Sequence, residues 1–157
     1  FPTRRSSDLG TKANWSDLYK DGLIIYHNDP NDDVEIRDRL VEIADAFPDA
    51  ELDVSGHSLG GNQLVNSFEG FRTNPELKRY ERINLFNPGT SPFRMLETHK
   101  EAVADDRVHL YLNTGDVLSN TYTYLIDSDR DNVVYSDATH NPLSNHGLAQ
   151  WYEDEDI

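Results

Sequence analysis

A strand pattern that runs into a helical pattern through a glycine-rich turn is the strongest constraint on how this chain folds. The strand pattern covers residues 50–56, AELDVSG, and the helical pattern covers residues 59–71, LGGNQLVNSFEGF. Only two residues separate them, so the chain must reverse sharply at this point. A strand followed at once by a helix is the building unit of layered α/β folds.

The rest of the chain repeats the alternation of strands and helices. A short apolar run, GLIIYH, covers residues 22–27 and is followed by a polar loop. The further predicted elements are a helix over 34–47 that ends at Pro48, a strand over 82–89, a helix over 91–106, a strand over 107–116, a strand over 133–135 and a short helix near the carboxyl end. We therefore predict a single α/β domain with a mostly parallel sheet and flanking helices.

Composition excludes several classes of function. The 157 residues can bury one core, and the net charge of −15 disfavours nucleic acid and anionic membrane surfaces as partners. Cysteine is absent, which removes disulfides, thiolate metal sites and cysteine nucleophiles. No apolar run reaches the roughly 18 residues that a membrane span needs.

The first nine residues, FPTRRSSDL, differ in character from the remainder. They contain an Arg4–Arg5 pair in an otherwise acidic chain, and they match the translation of a common sequencing adapter. We predict that residues 1–9 are not native and that residues 10–157 are a partial domain whose first strands and any signal peptide lie upstream. A natural N-terminal tail is the alternative.

The turn itself, Gly56-His57-Ser58-Leu59-Gly60, fits the pattern G-x-S-x-G. Between a strand and a helix this pattern is typical of a nucleophile elbow, in which small residues are needed where the backbones crowd. The serine hydroxyl then projects above the sheet, and the Leu59 N–H points at the forming oxyanion. A plain glycine-rich turn and a phosphate-binding loop are the alternatives, although no G-x-x-x-x-G-K-[ST] motif accompanies it.

A serine nucleophile needs a base and a group that orients the base, and in an elbow fold these follow in the order acid, then histidine. The segment predicted as a strand over 107–116 ends in a loop, and Asp116 stands in that loop, although an aspartate after Gly115 also suits a plain turn. His146, in NHGLAQW, is the favoured base, and His140, in THNP, is the alternative.

From Gly10 onward the chain resembles the class 3 (fungal-type) lipases of the α/β-hydrolase superfamily. Four segments carry the resemblance: GTKANWSDL, SGHSLGG, RVHLYLNTGDVLS and NHGLAQW. It implies an α/β-hydrolase fold that is incomplete at its N-terminus, with Ser58, Asp116 and His146 as catalytic residues. It also implies that Thr11 supplies a second oxyanion donor beside Leu59. Leu9 stands where the family has arginine, which agrees with a truncation before Gly10.

The expected activity is hydrolysis of a carboxylic ester or lipid by a serine hydrolase that needs no cofactor. A thioesterase, a phospholipase and a non-catalytic binding module that kept the elbow are the alternatives. Residues 127–132, DSDRDN, imitate the start of a calcium loop. They lack its glycine, and Ala138 stands where such a loop has its glutamate, so we predict a solvated acidic loop and no metal site.

Overall fold

The computed structural model describes residues 8–9, 30–89, 97–119, 122, 131–148 and 151. Within these ranges the strands form one parallel sheet, and strands adjacent in the sheet are also adjacent in sequence. The strands are β1 (Asp8–Leu9), β2 (Leu52–His57), β3 (Tyr80–Phe86), β4 (Val108–Asn113) and β5 (Val133–Ser136). Since β1 has only two residues, β2 to β5 make up most of the sheet.

Helices connect the strands. In the described residues they are α1 (Pro30–Ala46), α2 (Leu59–Asn66), α3 (Phe68–Thr73), α4 (Glu97–Ala104) and α5 (Pro142–His146). A three-residue 3₁₀ turn, Leu77–Arg79, leads into β3. Helix α2 contacts both α1 and α4, which places these three helices on one face of the sheet. Right-handed crossovers between successive strands of sequential order require this one-sided arrangement. The predicted α/β class with a parallel sheet is confirmed.

The hydrophobic core lies between this helical layer and the sheet. Alternate residues of the three central strands point into it, as the two-residue period of a strand requires, except that the alternation in β3 shifts between Tyr80 and Ile83. Their buried side chains are Leu52, Val54, Tyr80, Ile83, Leu85, Val108, Leu110 and Leu112. Helices α1 to α4 contribute Leu40, Ala44, Leu64, Val65, Phe68, Phe71, Ala102 and Val103.

The opposite face of the sheet is polar near the strand starts and aromatic near the strand ends. Phe86 and Tyr111 stack with ring centroids 4.4 Å apart, and Trp151 packs edge-on against Tyr111. His109 lies on the polar part of this face. Burial lowers the pKa of His109, and the neighbouring Arg82 lowers it further, against a smaller opposite effect of Asp53.

The observed elements differ from the predicted ones at their ends. The helix predicted over 34–47 begins earlier, at Pro30, which suits a first helical position. The helix predicted over 59–71 is two helices, because the chain turns at Ser67 and thereby buries both Phe68 and Phe71. The strand predicted over 107–116 ends at Asn113, so Asp116 lies in the following loop. None of the helices in the described ranges is long and apolar enough to cross a membrane.

Tyr80 joins the start of β3 to α1 and makes the stability dependent on pH. Its buried hydroxyl donates a 2.9 Å hydrogen bond to the Leu40 carbonyl, and burial raises its pKa from 10.0 to about 12, against the opposite effect of Arg79. A raised folded-state pKa means that this stabilisation is present below pH 10 and is lost as the pH rises through about 12.

We predict that the free energy of unfolding falls less between about pH 10 and pH 12 in Tyr80→Phe than in the unaltered chain, because the variant has no phenol to ionise at this position. Urea unfolding of both proteins across this range measures it. Tyr135→Phe, which removes a phenol at a 43% exposed position, is the matched control. Equal pH dependence in Tyr80→Phe and the unaltered chain contradicts the assignment.

Candidate active site

Ser58 lies in a strained backbone conformation between β2 and α2. Its φ of 54° and ψ of −116° are rare for a residue with a side chain, and such conformations cost on the order of 1–3 kcal/mol. Three backbone hydrogen bonds hold it there. The Ser58 N–H donates to Phe86 at 3.1 Å, and the Ser58 carbonyl accepts from Asn62 at 3.1 Å and Gly89 at 2.9 Å. The strained turn is thus fixed to β3, to α2 and to the loop after β3.

Glycines let α2 approach the end of β2 closely. A Cβ atom at Gly56 would lie 2.8 Å from the Gly60 backbone and 2.7 Å from the Leu64 side chain. A Cβ atom at Gly61 would lie 2.9 Å from Pro88. Gly56 and Gly61 are therefore packing requirements of this turn.

The Ser58 side chain contacts a histidine that in turn contacts an aspartate. The distance from Ser58 Oγ to His146 Nε2 is 2.6 Å, and the distance from His146 Nδ1 to Asp116 Oδ2 is 2.9 Å. All three residues are at most 2% exposed. In such a buried site, hydrogen bonds to charged groups are stronger than in water. The structure brings together the three residues that the sequence predicts as nucleophile, acid and base.

The Asp116 carboxylate is oriented by its own loop. Oδ1 accepts from the Leu118 N–H at 3.0 Å, and Oδ2 accepts from the Ser119 hydroxyl at 2.7 Å as well as from His146. An ionised carboxylate accepts hydrogen bonds and donates none, so these donors suit its anionic form. The Asp116 oxygen that faces His146 is thereby held from two sides.

Buried asparagines connect the carboxyl ends of β3, β4 and β5. Asn87 accepts from the Asn113 N–H at 2.8 Å and donates to the Asn145 carbonyl at 3.1 Å. Asn113 donates to the Ser136 hydroxyl at 2.8 Å. Asn145 accepts from the Thr139 hydroxyl at 2.8 Å. A helix of five residues such as α5 is too short to be stable alone, and these side-chain contacts tie it to the sheet.

His57 also contacts the candidate triad. Its Nε2 atom lies 2.6 Å from the main-chain oxygen of His146, and the two imidazole rings lie 5.1 Å apart at an angle of 40°. Sequence reasoning gave no role to His57, Asn87, Asn113, Ser119 or Asn145. The available signals were weak: a histidine next to the candidate nucleophile, and an asparagine before Pro88 at the end of a predicted strand.

The remaining predicted residues have different outcomes. The Leu59 N–H belongs to the first residue of α2, where a helix has no internal acceptor for it. Thr11, the second predicted oxyanion donor, lies outside the described residues, and so do Asp127 and Asp129 of the calcium-like segment. His140, the alternative base, is exposed on the loop before α5, whereas the His146 ring contacts both Ser58 and Asp116.

Comparisons of this chain with models of protein families, with curated proteins and with solved structures gave no match. The geometry of Ser58, His146 and Asp116 therefore carries the functional argument.

The close approach at Gly56 predicts a local effect of adding one methyl group. Gly56→Ala must push α2 away from β2, because two of the three nearest atoms belong to the Gly60 backbone. We expect a loss of stability of about 1–3 kcal/mol, measured by urea unfolding, and slower reaction of Ser58 with an organophosphonate.

Gly70→Ala is the matched control, since its Cβ atom would meet only the side chains of Arg37 and Leu77, at 3.0 and 3.1 Å. This variant keeps the Ser58 reactivity of the unaltered chain. If Gly56→Ala also keeps both stability and Ser58 reactivity, the glycine is not required for packing at this turn.

Proposed function

We propose that this protein is a serine hydrolase that cleaves carboxylic esters through a covalent acyl-enzyme. The observation that carries the proposal is the continuous hydrogen-bonded series of Ser58 Oγ, His146 Nε2, His146 Nδ1 and Asp116 Oδ2, with distances of 2.6 and 2.9 Å. A serine hydroxyl is scarcely ionised at neutral pH, and a histidine in this position activates it. The resemblance of the sequence to class 3 lipases supports the same proposal.

In the first half of the reaction, Ser58 Oγ attacks the ester carbonyl carbon while His146 Nε2 takes the hydroxyl proton. The tetrahedral intermediate collapses when the bond to the alcohol oxygen breaks, and His146 gives the proton to that oxygen. In the second half, a water attacks the acyl-enzyme with His146 again as base, and the carboxylic acid leaves Ser58. Asp116 accepts from the Nδ1–H throughout, which fixes the tautomer and stabilises the imidazolium.

The oxyanion would form at the N-terminus of α2. The Leu59 N–H, at the first residue of that helix, is the donor that the elbow geometry favours, and the helix dipole adds a favourable field. One such donor lowers the barrier by about 3 kcal/mol in well-studied hydrolases. Thr11 is proposed as the second donor on the lipase resemblance alone.

The surface charge bears on the substrate. A net charge of −15 disfavours adsorption to an anionic lipid surface. We therefore propose that the substrates are soluble or short-chain esters and not long-chain lipids. Thioesters and phospholipids are the alternative substrates that an activity assay must exclude.

A fluorophosphonate probe tests the nucleophile. We expect stoichiometric labelling of the unaltered chain, and no labelling of Ser58→Ala, because the probe reacts only with an activated serine. Ser55→Ala, three residues before Ser58 on β2, is the matched control, and it retains labelling because the Ser55 hydroxyl faces Asn84 Nδ2 at 3.5 Å. A folded chain that is not labelled contradicts the proposal.

The base is tested by a pair of histidine variants. His146→Ala is expected to lower the labelling rate at least about 1000-fold, since loss of a triad member removes most of the activation. His140→Ala, at an exposed position, keeps the rate within about twofold. The reverse result would assign the base to His140.

A further inference from the structure

Two side chains contact the main-chain carbonyl oxygen of His146. His57 Nε2 lies 2.6 Å from this oxygen, and Asn87 Nδ2 lies 3.3 Å from it. The same Asn87 nitrogen lies 3.1 Å from the carbonyl of Asn145. Both side chains are buried, Asn87 completely and His57 to all but 3%. Two successive carbonyls of α5 are thus held by residues far away in the sequence.

These contacts determine where protons lie. A carbonyl oxygen only accepts, so His57 Nε2 must carry a hydrogen. The Asn87 amide is oriented independently, because its Oδ1 atom accepts from the Asn113 N–H at 2.8 Å and so turns Nδ2 towards α5. Asn87 has a φ of 41°, a left-handed conformation that asparagine tolerates better than most residues. The backbone conformation and the amide orientation of Asn87 thus both suit the contact of Nδ2 with the carbonyls of α5.

The contacts of His57 and Asn87 with the His146 carbonyl, which we call the clamp, connect the proposed base His146 to the backbone next to Ser58. His57 is the last residue of β2 and precedes Ser58 directly, so its ring holds α5 at a fixed distance from the elbow. Asn87 follows β3, the strand whose Phe86 carbonyl accepts from the Ser58 N–H. Movement of α5 would therefore change the distance from Ser58 Oγ to His146 Nε2. Misplacing a catalytic group by about 1 Å can cost roughly 100-fold in rate.

We propose that His57 and Asn87 are positioning residues that clamp the main chain of His146, so that its ring meets Ser58 and Asp116 together. The proposal rests on the proposed function for its effect on rate, but the clamp itself is a structural claim about one protonated nitrogen and one carbonyl. The essential group at position 57 is the hydrogen-bond donor at Nε2.

A pair of substitutions of equal length separates the donor from the packing. His57→Met fills the space without a donor, and His57→Gln places an amide N–H near the position of Nε2. With p-nitrophenyl acetate, we expect kcat of His57→Met to fall about 10- to 100-fold with KM changed less than threefold. His57→Gln is expected to stay within about threefold of the unaltered chain in both constants.

Equal kcat values for folded His57→Met and His57→Gln overturn the proposal, since packing alone would then explain position 57. A larger change in KM than in kcat overturns it as well. Thermal unfolding of each variant shows that it is folded at the assay temperature.

A second readout needs no activity. Two-bond ¹H–¹⁵N correlation NMR of the unaltered chain, assigned by comparison with His57→Met, is expected to show a proton on His57 Nε2. A His57 ring protonated only at Nδ1 overturns the clamp. If the chain shows this proton but neither hydrolyses esters nor reacts with a fluorophosphonate, the clamp stands and the proposed function fails.

Discussion

The strained conformation of Ser58 is the constraint on which the rest of the site depends. A φ of 54° places the side chain above the end of β2, and this position exists only because α2 starts immediately and packs closely on Gly56. The energetic cost, on the order of 1–3 kcal/mol, is offset by the backbone hydrogen bonds of Ser58 to Phe86, Asn62 and Gly89. Without these contacts the turn would relax, and the hydroxyl would leave the reach of His146.

The parallel sheet explains how distant residues meet at this point. The carboxyl ends of parallel strands lie at one edge of a sheet, and loops at that edge carry binding and catalytic groups in open α/β folds. Ser58 follows β2, Asn87 follows β3 and Asp116 follows β4. The buried asparagine contacts then tie α5 to this edge, so that His146 completes the site. The sheet thus brings Ser58 and Asp116 close together, and the polar contacts align His146 with them.

Local sequence patterns encode only part of this arrangement. The elbow could be predicted because its glycines, strand and helix are continuous, and Asp116 could be placed because it follows a strand. The choice between His146 and His140 stayed open, since it depends on the position of a five-residue helix that no periodicity determines. The contacts of His57 and Asn87 could not be predicted from local patterns, because they reach a main-chain oxygen 89 and 59 residues away in sequence.

The central claim is that Ser58 forms a covalent acyl intermediate. Acid-quenched reaction with a short-chain p-nitrophenyl ester, followed by peptide mass spectrometry, tests it most directly. We predict a burst of about one p-nitrophenol per chain and one acyl group, located on Ser58. An acyl group on another residue, or no acyl group on a folded chain, would contradict it.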